Sequence, residues 1–159
     1  MSHEIFIKID GIAGESQQAA HKGWIDAIHI TYGATQPTAM HTGGGGGVGR
    51  ADFAPLTFSH TLDKSSPNLF LYCASGKHIP TVTVSVCKAG DGSQEFAKII
   101  MSDVIVAGIT PGGASGSGMT ETVALSYSKI QISVKEQKAD GSMGAAVHGN
   151  WDVKANAAC

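Results

Sequence analysis

The amino-acid sequence predicts a mainly β protein: an antiparallel barrel or sandwich carrying one short α-helix. Three observations predict it. Apolar residues recur at every second position through most of the chain, the spacing of strands buried on one face. A single segment carries both the start and the stop signals of a helix. Turn-forming clusters of glycine, proline and aspartate separate the alternating segments, at Asp91-Gly92, Pro111 to Gly118 and Asp140 to Gly144.

The strands read in order. Ile5, Ile7 and Ile9 alternate with Phe6, Lys8 and Asp10. Trp24, Ile28, Ile30 and Tyr32 share one parity, with Asp26 an exception on it. Leu56, Phe58, His60 and Leu62 oppose Thr57, Ser59 and Thr61, and Val82, Val84 and Val86 oppose Thr83 and Ser85. Gln94 to Thr110 is a long β-rich run, apolar on both faces around Ile99 to Ile105. Val123, Leu125 and Tyr127 then alternate with polar residues. After Tyr127 the apolar set moves from odd to even numbers, at Ile130, Ile132 and Val134. A one-residue slip swaps the two faces of a strand, so a bulge or sharp bend is expected near Ser128-Lys129. The polar faces Thr81-Thr83-Ser85 and Gln131-Ser133-Lys135 are candidate walls toward solvent or a lumen.

The helix is expected over about 66–75. Ser66 fits the N-cap, Pro67 the first helical position and Gly76 a left-handed C-cap. Lys77 and His78 would sit near its negative end. Its centre, Leu69-Phe70-Leu71-Tyr72-Cys73, is apolar all round, whereas a surface helix shows one stripe. One face packs on the sheet; the other calls for a partner chain. Each large side chain left wet forgoes roughly 1.5–3 kcal/mol.

Between strands and helix lies MHTGGGGGVGRAD, Met40 to Asp52, inside an extended loop of about 38–54. The run satisfies a phosphate-loop glycine pattern trivially. Arg50 and Ala51 stand where the lysine and hydroxyl of that loop belong, and Pro55 would break the helix it must open. Ordering glycines is costly, so the stretch Met40 to Arg50 is expected to gain order only on contact with a neighbour.

Composition narrows the function. The 159 residues fit a single domain, 1–159, and 42% of them are apolar, enough for a core. Net charge is −2 with 15% charged residues and no Lys/Arg cluster, which argues against a nucleic-acid binder. No apolar run approaches membrane-span length, so membrane insertion is not expected. Charge inside the N-terminal stretch Met1 to Lys8 argues against a secretory signal, leaving a cytoplasmic product exported, if at all, by another route. Cys73, Cys87 and Cys159 are odd in number and form no C-x-x-C, so no disulfide framework is expected.

Catalytic patterns are sought without success. The seven histidines, His3, His21, His29, His41, His60, His78 and His148, have no metal-ligand spacing, and neither metal nor cofactor is expected. Ser85-x-x-Lys88 and Ser126-x-x-Lys129 fit a serine–lysine motif, but i and i+3 point to opposite faces of a strand. Gly113 to Ser117 misses G-x-S-x-G by one residue. Glu95, Asp103 and Glu121 are isolated. The chain is read as a non-enzyme.

Twelve short stretches in order carry a resemblance. They are Ile7-Lys8-Ile9, Gly14-Glu15-Ser16, Ile25-Asp26, Met40-His41 with Gly43 to Gly47, Asp63-Lys64-Ser65, Pro67-Asn68-Leu69 and Ser75-Gly76-Lys77-His78. Lys88-Ala89-Gly90, Pro111-Gly112-Gly113, Thr120-Glu121, Gln137 to Gly141 and Gly149 with Trp151 follow. Together they resemble the hemolysin-coregulated protein (Hcp) family, tube subunits of bacterial type VI secretion systems. Ile30-Thr31-Tyr32 stands where the family often has tryptophans, Gly116 to Met119 where it often has acids, and Arg50 where it often has lysine. These departures bear on partner choice and surface charge.

The resemblance implies a β-barrel protomer and a homohexameric ring. It implies rings stacked into a tube that is propelled from the cell, and a lumen holding effector proteins. The partners it implies are further copies of the chain, a spike-tip protein, a sheath and the effectors; no cofactor is implied. The chain ends at Cys159, soon after the last strand signal, so no C-terminal toxin domain is expected. The assembly contacts it points to are Met40, His41, Gly43, Gly44, Gly45, Gly46, Gly47 and Arg50 in the loop, with Leu69, Phe70 and Tyr72 on the helix. The rival reading is a monomeric ligand-binding β-domain, which would want an aromatic pocket; aromatic residues are only 6%.

Overall fold

A computed structural model describes residues 2–39, 47–90 and 92–159. The described residues form β1 (His3–Ile9), β2 (Ile25–Ala27), β3 (His29–Thr35), β4 (Asp52–Thr61), α1 (Ser66–Ser75), β5 (Ile79–Lys88) and β6 (Gln94–Ala114). They continue with β7 (Gly118–Ser126), β8 (Lys129–Gln137), β9 (Met143–Asp152) and β10 (Ala157–Ala158). The described ladders between these strands are all antiparallel. The chain is therefore mainly β, with one α-helix among the described residues.

β6 organises the sheet. Its 21 residues pair with β5 and β8 in the first half and with β7 in the second. Three arms leave it: β5 leads to β1 and β2, β7 to β4 and β3, and β8 to β9 and β10. The expected barrel is corrected here, because the sheet does not close. The chain from Ile25 to Thr35 pairs three residues with β1 and then six with β4, and among the described residues no ladder joins β2 to β4. The switch falls at Ile28, whose N–H donates to Ser59 O at 2.7 Å.

The same switch corrects the face expected for Trp24 to Tyr32. Ile25 is fully buried while Ile28 is 62% exposed, because the chain changes partner, and with it parity, between them. Elsewhere the alternation holds at the strand centres and fails at two ends: beside the register shift at Val86–Cys87, Ser85 is fully buried and Val86 only half-buried, and Leu62 is 39% exposed. Ile7 and Ile9, Leu56 and Phe58, and Val82 and Val84 all turn into one core between the arms. At roughly 1.5–3 kcal/mol per large side chain, that core is the main term opposing chain entropy.

The strand break expected near Ser128 is present: β7 ends at Ser126 and β8 starts at Lys129. The two are successive partners of the same side of β6, since Ser126 faces Ile105 and Lys129 faces Ser102. β6 bends at the same level. Its buried residues are Ile99 and Met101 before the bend and Val104 and Val106 after it, with Asp103 between at φ 52°. The long run is therefore not buried on both faces; its core side moves to even numbers at this bend and back to odd numbers at the register shift between Val106 and Gly108, where Ile109 again packs on the core.

The helix occupies its expected span, with a different cap. Ser65, not Ser66, takes the N-cap position and makes no side-chain cap bond. Asp63 organises the turn instead. Its carboxylate accepts the Ser65 N–H at 2.8 Å and the Ser65 hydroxyl, while its own N–H donates to Ser66 Oγ at 3.2 Å. A carboxylate reaching back across the turn leaves Ser66 free to enter the helix. Gly76 ends the helix at φ 66°, donating its N–H to Tyr72 O, as the left-handed cap requires.

Candidate assembly surface

Successive helical residues are about 100° apart, so three in a row cannot all face one sheet. Leu69 points into the protomer's own core and is fully buried. Phe70 and Leu71 are consequently left 61% and 58% exposed. Tyr72 is half-buried, packing over Gly11, where a Cβ would come within 2.9 Å of its hydroxyl, and beneath Lys77 Nζ, 4.8 Å from the ring centre. Of the helix residues singled out from the sequence, Phe70 is open to a partner, Tyr72 partly so, and Leu69 is spent inside. Leu71 joins Phe70.

The glycine-rich loop has an ordered base. Thr38 bridges Val48, Ala39 N–H donates to Gly47 O at 3.2 Å, and Gly49 N–H donates to Pro37 O at 3.1 Å. The stretch between the strands is 36–51, since β3 ends at Thr35 and β4 begins at Asp52. Arg50 Nη2 donates to the carbonyl of Val153 and, at 3.4 Å, to that of Lys154, tying the base to the C-terminal segment. Gly47 has open space around it and Val48 is 80% exposed. Met40, His41, Gly43, Gly44, Gly45 and Gly46 lie outside the described residues.

At the bend of β6, Asp103 gathers three segments. It accepts from His78 Nδ1 at 2.7 Å, Lys154 Nζ at 2.8 Å and Ser128 Oγ at 2.9 Å. These bonds, Lys154 foremost, hold its carboxyl far below the ordinary carboxylate range, and Asp103 in turn raises the Lys154 ammonium.

Two of the seven histidines are hydrogen-bonded inside the protomer. His21 Nδ1 meets Gln18 Oε1 at 2.7 Å, its Nε2 meets Ser85 Oγ at 3.1 Å, and its ring stacks on Phe6 at 4.4 Å. Ser85 donates to Glu95. The contact has two members of a Ser–His–acid triad, but an amide rather than a carboxylate orients the histidine. Ser85 is fully buried, so its hydroxyl is not offered to a substrate. Burial pushes the His21 pKa below its ordinary value. His60 is fully buried and meets Glu121 Oε1 at 2.7 Å, with Glu121 itself 3% exposed. The available signal was His60 on the apolar parity of Leu56 and Phe58; its partner, 61 residues away, gave none.

Among the described residues no group of three His, Cys, Asp or Glu is placed to hold a metal ion, and no helix is long and apolar enough to cross a membrane. What this surface offers is exposed apolar area on the helix and open strand edges.

Known proteins resemble the chain along nearly its whole length. Residues 6–134 match the family model described as type VI secretion system effector, Hcp. The chain is 38% identical to Protein hcp1 of Pseudomonas aeruginosa PAO1, over 98% of each sequence. Its fold is similar to the crystal structure of Hcp1 from Salmonella typhimurium, with a TM-score of 0.85, 37% identity and full coverage of both chains. It is also similar to a type VI secretion system effector from Yersinia pestis, with a TM-score of 0.77 and 31% identity over 93% of this chain and 98% of that one.

Proposed function

Because the chain belongs to the Hcp family of type VI secretion proteins, we propose that it is a subunit of the secretion tube. In this reading about six copies close into a ring by a head-to-tail contact. Rings stack into a tube made in the cytoplasm and then expelled. The lumen carries effector proteins, and the outer partners are a sheath and a spike-tip protein. The chain works by shape rather than by catalysis.

The observation that carries the reading is the open helix face. Phe70 and Leu71 stay largely exposed on a helix whose Leu69 is fully buried. Large adjacent apolar side chains left in water are the mark of a surface meant to be covered. A tube subunit has identical neighbours to cover it; a monomeric ligand-binding domain does not.

Light scattering on the size-separated full chain tests this, with negative-stain microscopy of the same fraction. Ring-shaped particles of about six copies are expected. A monodisperse monomer at high concentration would overturn the proposal and favour the ligand-binding alternative.

A further inference from the structure

The β8–β9 hairpin runs beyond the core it starts from. Ile130, on β8, is 4% exposed against that core. Two positions on, Ile132 is only half-buried, and Val134 is 45% exposed on the same face. Val134 lies directly opposite Val147 on β9, which is 76% exposed. The core-side face of the hairpin thus ends in a bare apolar pair.

The edge beside that pair is open too. β10 covers β9 only at Trp151 and Asp152, so among the described residues no strand pairs with the outer side of Ala146 to Gly149. Solvent-facing edges are ordinarily protected by charge, proline or inward-pointing polar groups. Met143 to Asn150, Met-Gly-Ala-Ala-Val-His-Gly-Asn, contains no Asp, Glu, Lys, Arg or Pro.

A second, unlike patch lies where β2 gives way to β3 and where β4 leaves β7. Ile28, Leu62 and Met119 are 62%, 39% and 46% exposed. Leu62 N–H donates to Met119 O at 3.1 Å, and Ile28 sits between β2 and β3, where the sheet has its other open edges. The strand order runs from β10 and β9 at one end to β2 at the other. Two different apolar edges on one chain are what a head-to-tail contact needs, whereas a two-fold contact needs one self-matching patch.

We propose that the Val134–Val147 strip and the bare β9 edge form one half of the contact between neighbouring copies, and the Ile28 edge of the next copy the other half. This rests on the tube-subunit reading. The occupant is a second copy of this chain, lying against the apolar pair and along the unpaired backbone of β9.

Val147→Lys and Ile28→Lys in the full chain test it, each alone and then mixed. Both side chains are exposed, so circular dichroism and the protomer's melting temperature should match the wild type. Each variant alone is expected to lose ring mass, needing at least tenfold more protein to assemble. Mixed, the two still share one intact pair of surfaces, so a dimer of the two variants is expected, without rings. Backbone amides of Ala146 to Gly149 should exchange slowly in wild-type rings and fast in Val147→Lys. Wild-type rings whose β9 amides exchange fast, variants that assemble normally, or a mixture that stays monomeric would each overturn the assignment while leaving the tube reading intact. If either lysine variant misfolds, Val147→Asn and Ile28→Asn replace them with the same readouts. A wild type that never forms rings would instead remove the tube reading itself, and this assignment with it.

Discussion

Removing the Glu121 carboxylate is expected to be among the most damaging polar changes in this chain. His60 and Glu121 are 0% and 3% exposed, and their Nε2–Oε1 distance is 2.7 Å. Asp63 Oδ2 lies 3.8 Å from His60 Nδ1, which has no hydrogen-bond partner, so it cannot take over. Glu121→Ala therefore strands a buried imidazole with both nitrogens unsatisfied. Breaking one partner out of a buried pair costs roughly 3–5 kcal/mol, a large part of the 5–15 kcal/mol typical of a folded domain. His60→Leu alone strands the carboxylate and should cost a similar amount. Making both sites apolar, His60→Leu with Glu121→Met, removes the stranded group and should recover most of the loss. The assay is urea unfolding at one fixed protein concentration, because self-association adds to apparent stability. The four proteins close a double-mutant cycle. A single-mutant cost below about 1 kcal/mol, or a double mutant that loses the sum of the singles, would refute the view of this pair as a mutually satisfying buried unit.

Three further outcomes follow from named contacts. The buried His21 has a pKa lowered from 6.5, so the unfolded chain takes up its proton first; stability present above that value should fall as pH drops from roughly 7 to 5, and His21→Gln should flatten that slope in pH-dependent unfolding. Gly14→Ala should lower the melting temperature sharply, since its Cβ would come within 2.4 Å of Trp24 O, while Gly112→Ala, with nothing within 4 Å, should leave it nearly unchanged. Asp103 has its carboxyl held low by Lys154, His78 and Ser128, so its stabilisation is present above the ordinary carboxylate range and lost on acidification; Asp103→Gly, which keeps the positive φ, should remove that acid-side dependence without disturbing the circular dichroism spectrum.

The helix was legible because its signals are local. Pro67, Gly76 and the apolar centre fix a ten-residue helix within their own span. Its cap was misread by one residue because Asp63 reaches across the turn, a contact Ser66 does not advertise. The assembly surface was legible in part. The apolar centre announced that some of the helix stays open, but choosing Phe70 and Leu71 over Leu69 needed the direction in which the helix docks. The edge pair Val134 and Val147 could not be read at all. Each sits in ordinary alternation, and only the ladder shows where the core beneath that alternation stops.

The barrel expectation failed, and the bend of β6 shows why parity alone could not decide it. A change of parity in one strand has two explanations: an extra residue that bulges against a straight partner, or a corner at which both strands turn together. The odd-to-even shift after Tyr127 was visible, yet alone it fits either. Its counterpart, from Met101 to Val104, was hidden because an apolar run around the shift looks like burial on both faces. The pairing of Ser102 with Lys129 and of Ile105 with Ser126 puts the two shifts at one level, so both strands turn their faces together. A corner of this kind is what lets β6 belong to two arms of the sheet. The same turn sends β8 and β9 off along a third arm whose last residues outrun the core. The corner itself is held at Asp103 by a positive φ and three side-chain bonds.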